Sequence, residues 1–271
     1  MRQFISEVFP DKNGILKLEE KDFRYLKQVL RVKTGDMINI RLPDSSLKGF
    51  TVCKIQENKK TLILQECASK ISEENSLTRG TQASALEKNA LSTTEFWLFT
   101  FISKPSKMEL IIRQAVECGI KFIIPVISEY SQKSSVEAIK NAKKERLLKI
   151  VKESRQQSGS PVETKILEPV SVEDAANMWK EQNSPGVLLW EQNKDSKSLH
   201  EIFKSADTKK AAVLVGCEGG ISPNEFEILK KSNFIPVHFD INILRCETAS
   251  LYGIAAVQSV ILEKSKWQCI E

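Results

Sequence analysis

From Glu95 onward, short continuous apolar runs take turns with segments of helical periodicity, and this alternation is what most restricts the possible fold. The runs are EFWLFTFIS, KFIIPVIS, TKILEPVS, GVLLWEQ, AAVLVG and FIPVHFD. Between and after them lie SKMELIIRQAVECG, a long basic stretch at 137–157, VEDAANMWKEQ, KSLHEIFKSA, residues 222–231 and a last helix at 247–264. Strands that are apolar throughout, rather than alternating, have both faces covered. The expected architecture is therefore α/β, a mostly parallel sheet with helices on both faces. In the first helix Met108, Ile111, Ile112 and Ala115 share one face, Ser106 and Glu109 have capping-box spacing, and Gly119 marks the end.

The first part of the chain has a different grammar. DMINIRL (36–42), GFTVCKI (49–55) and TLILQEC (61–67) read as short strands between turn residues, interrupted by one helix, EKDFRYLKQVLRV. A small barrel is the natural closure for such strands. Residues 1–72 are thus read as a β-barrel, 73–94, polar and rich in small residues, as a linker or insertion, and 95–271 as the α/β domain.

One turn of the α/β region is chemically unusual. LVGCEGGISPNEFEIL (214–229) joins a strand to a helix through Gly216, Gly219 and Gly220, with Glu218 among them. Ser222 is a good N-cap, Pro223 suits the first turn, and Glu225 completes an S-x-x-E box. Ligands of open α/β sheets bind at such strand ends. The spacing G-x-x-G-G fits neither G-x-x-x-x-G-K-[ST] nor G-x-G-x-x-G. Glu218 also sets a negative charge where a phosphate would have to lie. The loop is either a tight strand-to-helix turn without a ligand or one wall of a site for a phosphate-free, positively charged nucleoside. S-adenosylmethionine has that chemistry.

INILRCETASLYGIAAVQSVILE (241–263) starts at the end of the next strand, beside this loop in a parallel sheet. Arg245 there either faces the same crevice or pairs with Glu218 or Glu247. Thr248 or Glu247 is expected to cap the final helix.

Composition excludes more than it selects. Among 271 residues the net charge is +5, which permits an anionic partner without requiring one. The six cysteines (Cys53, Cys67, Cys118, Cys217, Cys246, Cys269) have no metal-ligand spacing, and His200 and His238 are the only histidines. Reduced thiols, no metal site and no histidine-based triad are the expectation. The start, MRQFISEVFPDKNG, lacks the apolar core of a signal peptide, and no apolar run reaches membrane-spanning length. A cytoplasmic protein without membrane partners is expected.

VGCEGGISPNE and ILRCETASLYGIAAVQ, about 25 residues apart, resemble the paired motifs of the RsmE family. SKMELIIRQAVECGIKFIIPVISEYS, LLKIVKESRQQSGSPV and RYLKQVLRVKTGDMINI resemble further segments of that family, so the likeness spans nearly everything outside 70–94. It implies a SPOUT-superfamily methyltransferase domain, with a C-terminal trefoil knot that ordinary topology rules would not suggest, and an N-terminal PUA-like barrel. It also implies a homodimer, S-adenosylmethionine as cofactor, and methylation of N3 of a uridine in 16S ribosomal RNA or the small ribosomal subunit. Four departures stand out. Cys217 replaces a Pro, Asp240 a Gly, the E-Q-S-x-R segment reads Gln156-Gln157-Ser158-Gly159-Ser160, and the H-L element begins Arg24-Tyr25-Leu26.

Carried onto this chain, the resemblance assigns the cofactor to Leu189, Trp190, Val215, Gly216, Glu218, Gly219, Gly220, Ile243, Leu244 and Thr248. From its place beside the glycine loop, Arg245 is expected to orient the base or stabilise its imide anion, with Glu218 as a second catalytic candidate. Uracil N3 lies on the Watson–Crick edge, so the target is unstacked when methylated. Candidate RNA contacts are Arg2, Arg24, Lys27 and Arg31 on the barrel, with Arg155 and Gln157 downstream. Lys33, Lys143, Lys144 and Arg146 are further candidate phosphate contacts. The competing readings are a catalytically weakened RNA-binding paralogue and a SPOUT methyltransferase acting on a ribose 2′-OH. A nucleotide-dependent dehydrogenase would need a dinucleotide fingerprint early in the sheet, which is absent.

Overall fold

The computed structural model describes residues 3–67, 94–141, 144–204 and 208–266. The segment read as a linker, 73–94, lies outside them apart from Thr94. The chain divides into two compact units, Met1–Ala90 with Arg155–Pro161, and Leu91–Ser154 with Val162–Glu271.

In the first unit five strands form one sheet: β1 (Phe4–Ile5), β2 (Ile15–Glu19), β3 (Met37–Arg41), β4 (Leu47–Gln56) and β5 (Thr61–Glu66). The order is β1-β3-β4-β5-β2, with β1 parallel to β3 and the other pairs antiparallel. In β2 only Leu16 and Leu18 turn inward, the alternation a one-sided strand requires. They join Phe4, Leu26, Ile40, Phe50, Val52, Leu62 and Leu64 in a single core. A bulge between Val52 and Lys54 breaks the β4–β5 register, which bends the strand and increases its twist. The segment read as one helix is a short α1 (Glu20–Arg24) that widens into a π-turn over Tyr25–Val29, where the Leu30 N–H donates to the Tyr25 carbonyl at 3.2 Å. Arg31 at φ 54° and Gly35 at φ 92° then turn the chain into β3. Gln3 ties Arg155–Pro161 to this unit. Its side chain donates to the carbonyls of Arg155 (3.0 Å) and Ser160 (3.2 Å) and accepts from Arg41 Nε (2.9 Å).

The second unit holds a seven-stranded sheet. Its strands are β6 (Glu95–Phe101), β7 (Phe122–Ile127), β8 (Lys165–Ile166), β9 (Val170–Ser171), β10 (Gly186–Leu189), β11 (Lys210–Val215) and β12 (Phe234–Val237). The order is β12-β10-β11-β6-β7-β8, with β9 also on β7, and every pair is parallel. The helices are α2 (Pro105–Glu117), α3 (Lys133–Lys140), α4 (Lys144–Ser158), α5 (Val172–Lys180), α6 (Leu199–Ile202), α7 (Pro223–Lys230) and α8 (Cys246–Lys266). Strand periodicity divides the core. Phe96 and Leu98 face a layer with α2 and α8, whereas Trp97, Phe99 and Phe101 face α5 and α7. In the second layer Phe99, Trp179 and Phe234 meet edge-on or tilted, with centroids 5.3 to 6.1 Å apart. Gly186 fits beneath that cluster, since a Cβ there would overlap Trp179.

Two local expectations give way to stronger ones. The Ser106/Glu109 capping box does not form. Pro105, with its fixed φ, occupies the first helical position, Lys104 is the N-cap, and Glu109 pairs with Arg146 at 2.6 Å. The long basic helix is two, α3 and α4, ending at Lys140 and restarting at Lys144.

Candidate functional site

The carboxyl ends of β12, β10 and β11 lie side by side, and an open cleft lies above them. Each strand end supplies a wall. After β10 come Leu189, Trp190 and Glu191; after β11 come Val215, Gly216, Cys217 and Gly220; after β12 come His238, Phe239 and the run Ile241–Leu244. Cys246 and Ala249, in the first turn of α8, line it as well. Strand ends of a parallel sheet are where small-molecule sites form.

The glycine loop is held closed by its own backbone. The Gly220 N–H donates to the Cys217 carbonyl at 3.0 Å, and Gly220 sits at φ 78°, the left-handed region glycine adopts without strain. A Cβ on Gly216 would lie 2.9 Å from the Gly220 oxygen, so this close loop requires glycine there too. The expected capping box follows: Ser222 Oγ accepts from the Glu225 N–H (3.2 Å), and Glu225 Oε2 accepts from the Ser222 N–H (2.8 Å). The second Glu225 oxygen accepts from the Glu129 N–H (2.8 Å), anchoring the loop after β7 against α7.

The other walls are fixed similarly. The Trp190 N–H donates to the Val237 carbonyl (3.0 Å), and its ring lies over Phe226 with centroids 4.6 Å apart. His238 Nδ1 is 3.2 Å from the Trp190 carbonyl, and its N–H donates to Ser196 Oγ at 2.7 Å. Phe239 meets the Tyr252 ring edge-on at 4.9 Å, joining the last loop to α8.

Of the residues assigned to the cofactor from sequence, Leu189, Trp190, Val215, Gly216, Gly220, Ile243 and Leu244 line the cleft. Glu218, Gly219 and Thr248 do not, nor does Arg245. Gly219 instead presses on Tyr130, which would be 2.8 Å from an added Cβ. Glu218 turns toward the start of α2. One of its oxygens is 3.2 Å from Lys107 Nζ and accepts from the Lys104 N–H at 3.5 Å. Lys107 also lies 3.6 Å from Glu247. Lys107 thus takes the partners expected of Arg245, which is exposed and forms no ion pair with any described residue. The α8 cap is corrected too. The helix begins at Cys246, the Ala249 N–H bonds to the Arg245 carbonyl (2.7 Å), and Glu247 and Thr248 lie inside the first turn.

These contacts set the charges. Burial raises Glu218, but hydrogen bonds from its own N–H, from Lys107 and from the Lys104 N–H outweigh it and hold the carboxyl below its ordinary value. The N–H of Glu247 itself, with help from Cys246 and Lys107, lowers that carboxyl against a smaller effect of burial. Burial depresses Lys107, yet Glu218 and its other neighbours raise it overall. Burial, reinforced by the bond to Glu247, pushes the Cys246 thiol up to about 11. It stays protonated near neutrality and acts as a donor to Glu247 at 3.2 Å.

Glu191 was not singled out from the sequence, and it is the one Asp, Glu, Lys or Arg among the residues that line the cleft. Its signal was a carboxylate directly beyond an apolar strand, at the end of the sheet where ligands bind.

Of the proposed RNA contacts, Arg24, Arg31 and Gln157 are exposed. Lys27 pairs with Glu57 at 3.1 Å, and Arg155 is half-buried with a guanidinium nitrogen 3.5 Å from the Pro161 carbonyl. Arg2 lies outside the described residues.

Residues 90–258 match the family model described as an RNA methyltransferase domain. The chain belongs to this RNA methyltransferase family. Within the family it is of the RsmE kind. The ribosomal RNA small subunit methyltransferase E 2 of Borreliella burgdorferi is 28% identical over 258 residues, covering 92% of this chain and 93% of that one. The methyltransferase E of Rickettsia conorii is 28% identical over 260 residues, at 95% and 94% coverage. Among solved structures, a ribosomal RNA small subunit methyltransferase E from Neisseria gonorrhoeae bound to S-adenosylmethionine matches with TM-score 0.72, 21% identity and coverage of 96% and 98%. A Legionella pneumophila methyltransferase in complex with the same cofactor matches with TM-score 0.73 and 20% identity, covering 95% of this chain and 96% of its own. These two share the fold of this RNA methyltransferase across both units. Among the described residues no helix is long and apolar enough to cross a membrane, and no cluster of His, Cys, Asp or Glu is placed to hold a metal.

Proposed function

We propose that this chain uses S-adenosylmethionine to methylate N3 of a uridine in 16S ribosomal RNA. The observation that carries the reading is the cleft where three parallel strands end, with apolar walls, a closed glycine loop, one carboxylate and no lysine or arginine. Those residues fit the cofactor. Leu189, Trp190, Val215 and Leu244 suit an adenosine, and Glu191 suits a cation; a Cβ on Gly220 would stand 3.3 Å from the Glu191 carboxylate. A phosphorylated nucleotide would meet a carboxylate and find no lysine or arginine in the cleft. The full-length relatives named as small-subunit rRNA methyltransferases support the substrate.

When bound, the cofactor supplies an electrophilic methyl group. The chain's task is then to hold the base edge in line with that methyl and keep it there. Uracil N3 becomes nucleophilic once its proton has passed to solvent, so negative charge develops on the imide before the nitrogen attacks. Arg245 follows Leu244 at the cleft mouth, exposed and without an ion-pair partner among the described residues. Its guanidinium stabilises that charge or orients the base. Glu218 serves through Lys107 as a tie between the glycine loop and α2.

The finer points of organisation belong to the same proposal. Residues 1–72 serve as a PUA-like RNA-binding barrel, with Arg24 and Arg31 toward phosphates. Residues 95–271 form the SPOUT domain, its C-terminal segment threaded as a trefoil knot. The enzyme works as a cytoplasmic homodimer, joined through the apolar surface of Ile241, Ile243, Leu251 and Tyr252, of which Ile243 is 90% exposed.

The test is to compare small-subunit rRNA from cells with and without the protein, digested and mapped by mass spectrometry. One N3-methyluridine should vanish with the gene and return when purified enzyme and S-adenosylmethionine are added to the unmodified subunit. An identical uridine pattern in both strains refutes the substrate.

A further inference from the structure

We infer that Glu191 gives the cleft its preference for a positively charged nucleoside over neutral ones of the same shape. The inference rests on the cofactor proposed above and adds the residue that reads its charge.

Glu191 is placed by its neighbour. The Trp190 N–H is fixed to the Val237 carbonyl at 3.0 Å and its ring lies over Phe226. The next residue is thereby directed across the cleft toward the glycine loop. A Glu191 oxygen comes within 3.3 Å of where a Cβ on Gly220 would be, so the carboxylate stands over the loop's left-handed glycine. It has no hydrogen bond or ion pair with any described residue. Glu218, the other acid of this region, already shares Lys107 with Glu247 and lies off the cleft lining. The wall therefore presents one uncompensated negative charge, close to a surface that is otherwise apolar or amide-like. A ligand cation beside it gains Coulomb energy, and a neutral analogue gains none. Because Glu191 is exposed to water, the discrimination is about tenfold rather than the far larger factor of a dry site.

Calorimetry with three ligands tests this on the full chain. S-adenosylmethionine carries a sulfonium and an ammonium, S-adenosylhomocysteine keeps only the ammonium, and 5′-methylthioadenosine has neither. Glu191→Gln should weaken S-adenosylmethionine about tenfold and leave 5′-methylthioadenosine within about twofold. Glu191→Lys should deepen the first loss and again spare the neutral ligand. A loss shared by S-adenosylhomocysteine assigns the contact to the ammonium; a loss confined to S-adenosylmethionine assigns it to the sulfonium. Unchanged S-adenosylmethionine affinity, or an equal fall for 5′-methylthioadenosine, overturns the role of Glu191 while leaving the proposed function intact. A wild-type chain that binds none of the three refutes that function itself.

Discussion

Replacing Lys107 with Met removes one ammonium from between two carboxylates while keeping most of the side chain's apolar stem. Glu218 Oε1 lies 3.2 Å from it and Glu247 Oε2 3.6 Å. The Lys107 side chain is 26% exposed, Glu218 36% and Glu247 15%. Exposed pairs contribute about 0.2–1 kcal/mol each, and these sit at the boundary with water. Discounting Glu218 for solvent screening, the two together come to about 1–1.5 kcal/mol near neutral pH. In a unit of this size that lowers Tm by about 3–5 °C. The pH dependence has a definite sign. Both carboxyls are held below their ordinary 4.5, so their contribution is present above that value and is lost as pH falls through the lowered one. Lys107 is held above its ordinary 10.5, so its contribution is full below 10.5 and fades only beyond the raised value. Urea denaturation of wild type and variant at about pH 7 and about pH 3 checks this, the gap closing in acid as the carboxyls protonate. Some acid dependence will persist in the variant, because Glu218 and Glu247 are also bonded by their own N–H groups. A gap of equal size at both pH values would show that lost packing of the stem, and not the ion pairs, caused the destabilisation.

Gly220→Ala forces a side chain onto φ 78° and against Glu191, at a cost of about 1–2 kcal/mol, and should weaken S-adenosylmethionine in calorimetry more than it lowers Tm. Gly186→Ala is the opposite case. Its Cβ would overlap Trp179 and come 2.8 Å from the Phe234 ring, so thermal melting should report a loss of about 2–3 kcal/mol. Arg245→Ala, at an exposed position without an ion pair among the described residues, should leave Tm and cofactor affinity unchanged and lower single-turnover methylation about 100-fold. If the proposed homodimer uses the exposed apolar surface of α8, the wild type should sediment as a dimer and Tyr252→Glu as a monomer in analytical ultracentrifugation; a variant that stays dimeric refutes that interface.

Much of the fold was readable because its signals are local. Continuous apolar runs become parallel strands, and Ser222 with Glu225 forms the capping box its spacing suggests. Errors came where two local signals competed or a distant partner decided. Pro105 pre-empted Ser106 as the start of α2, and Arg146, 37 positions beyond Glu109, drew that carboxylate away from the helix end. The Tyr25–Val29 π-turn has the same apolar spacing as an α-helix, so periodicity does not distinguish them. The cleft's glycines and apolar walls were legible for the same reason as the strands: they sit at fixed offsets from strand ends.

Charge placement in the cleft was not legible, and the reason is physical. A loop side chain has no periodicity to fix its direction, so sequence proximity put Glu218 beside the ligand when its real partner is Lys107, 111 positions earlier on another element. Glu191 looked like an ordinary polar residue ending a strand. Yet the electrostatic argument against a phosphate depended on the sign of the cleft, not on which residue supplies it. Glu218 shares Lys107 with Glu247 away from the cleft lining, and had no acid lined the cleft itself, the case for a cationic ligand would fall. Glu191 restores that case from the neighbouring strand end, with no counter-ion among the described residues to cancel it. Neutralising Glu218 should therefore leave the cleft's selectivity for cations intact, and neutralising Glu191 should abolish it. These two acids lie on neighbouring loops, and only the structure tells them apart.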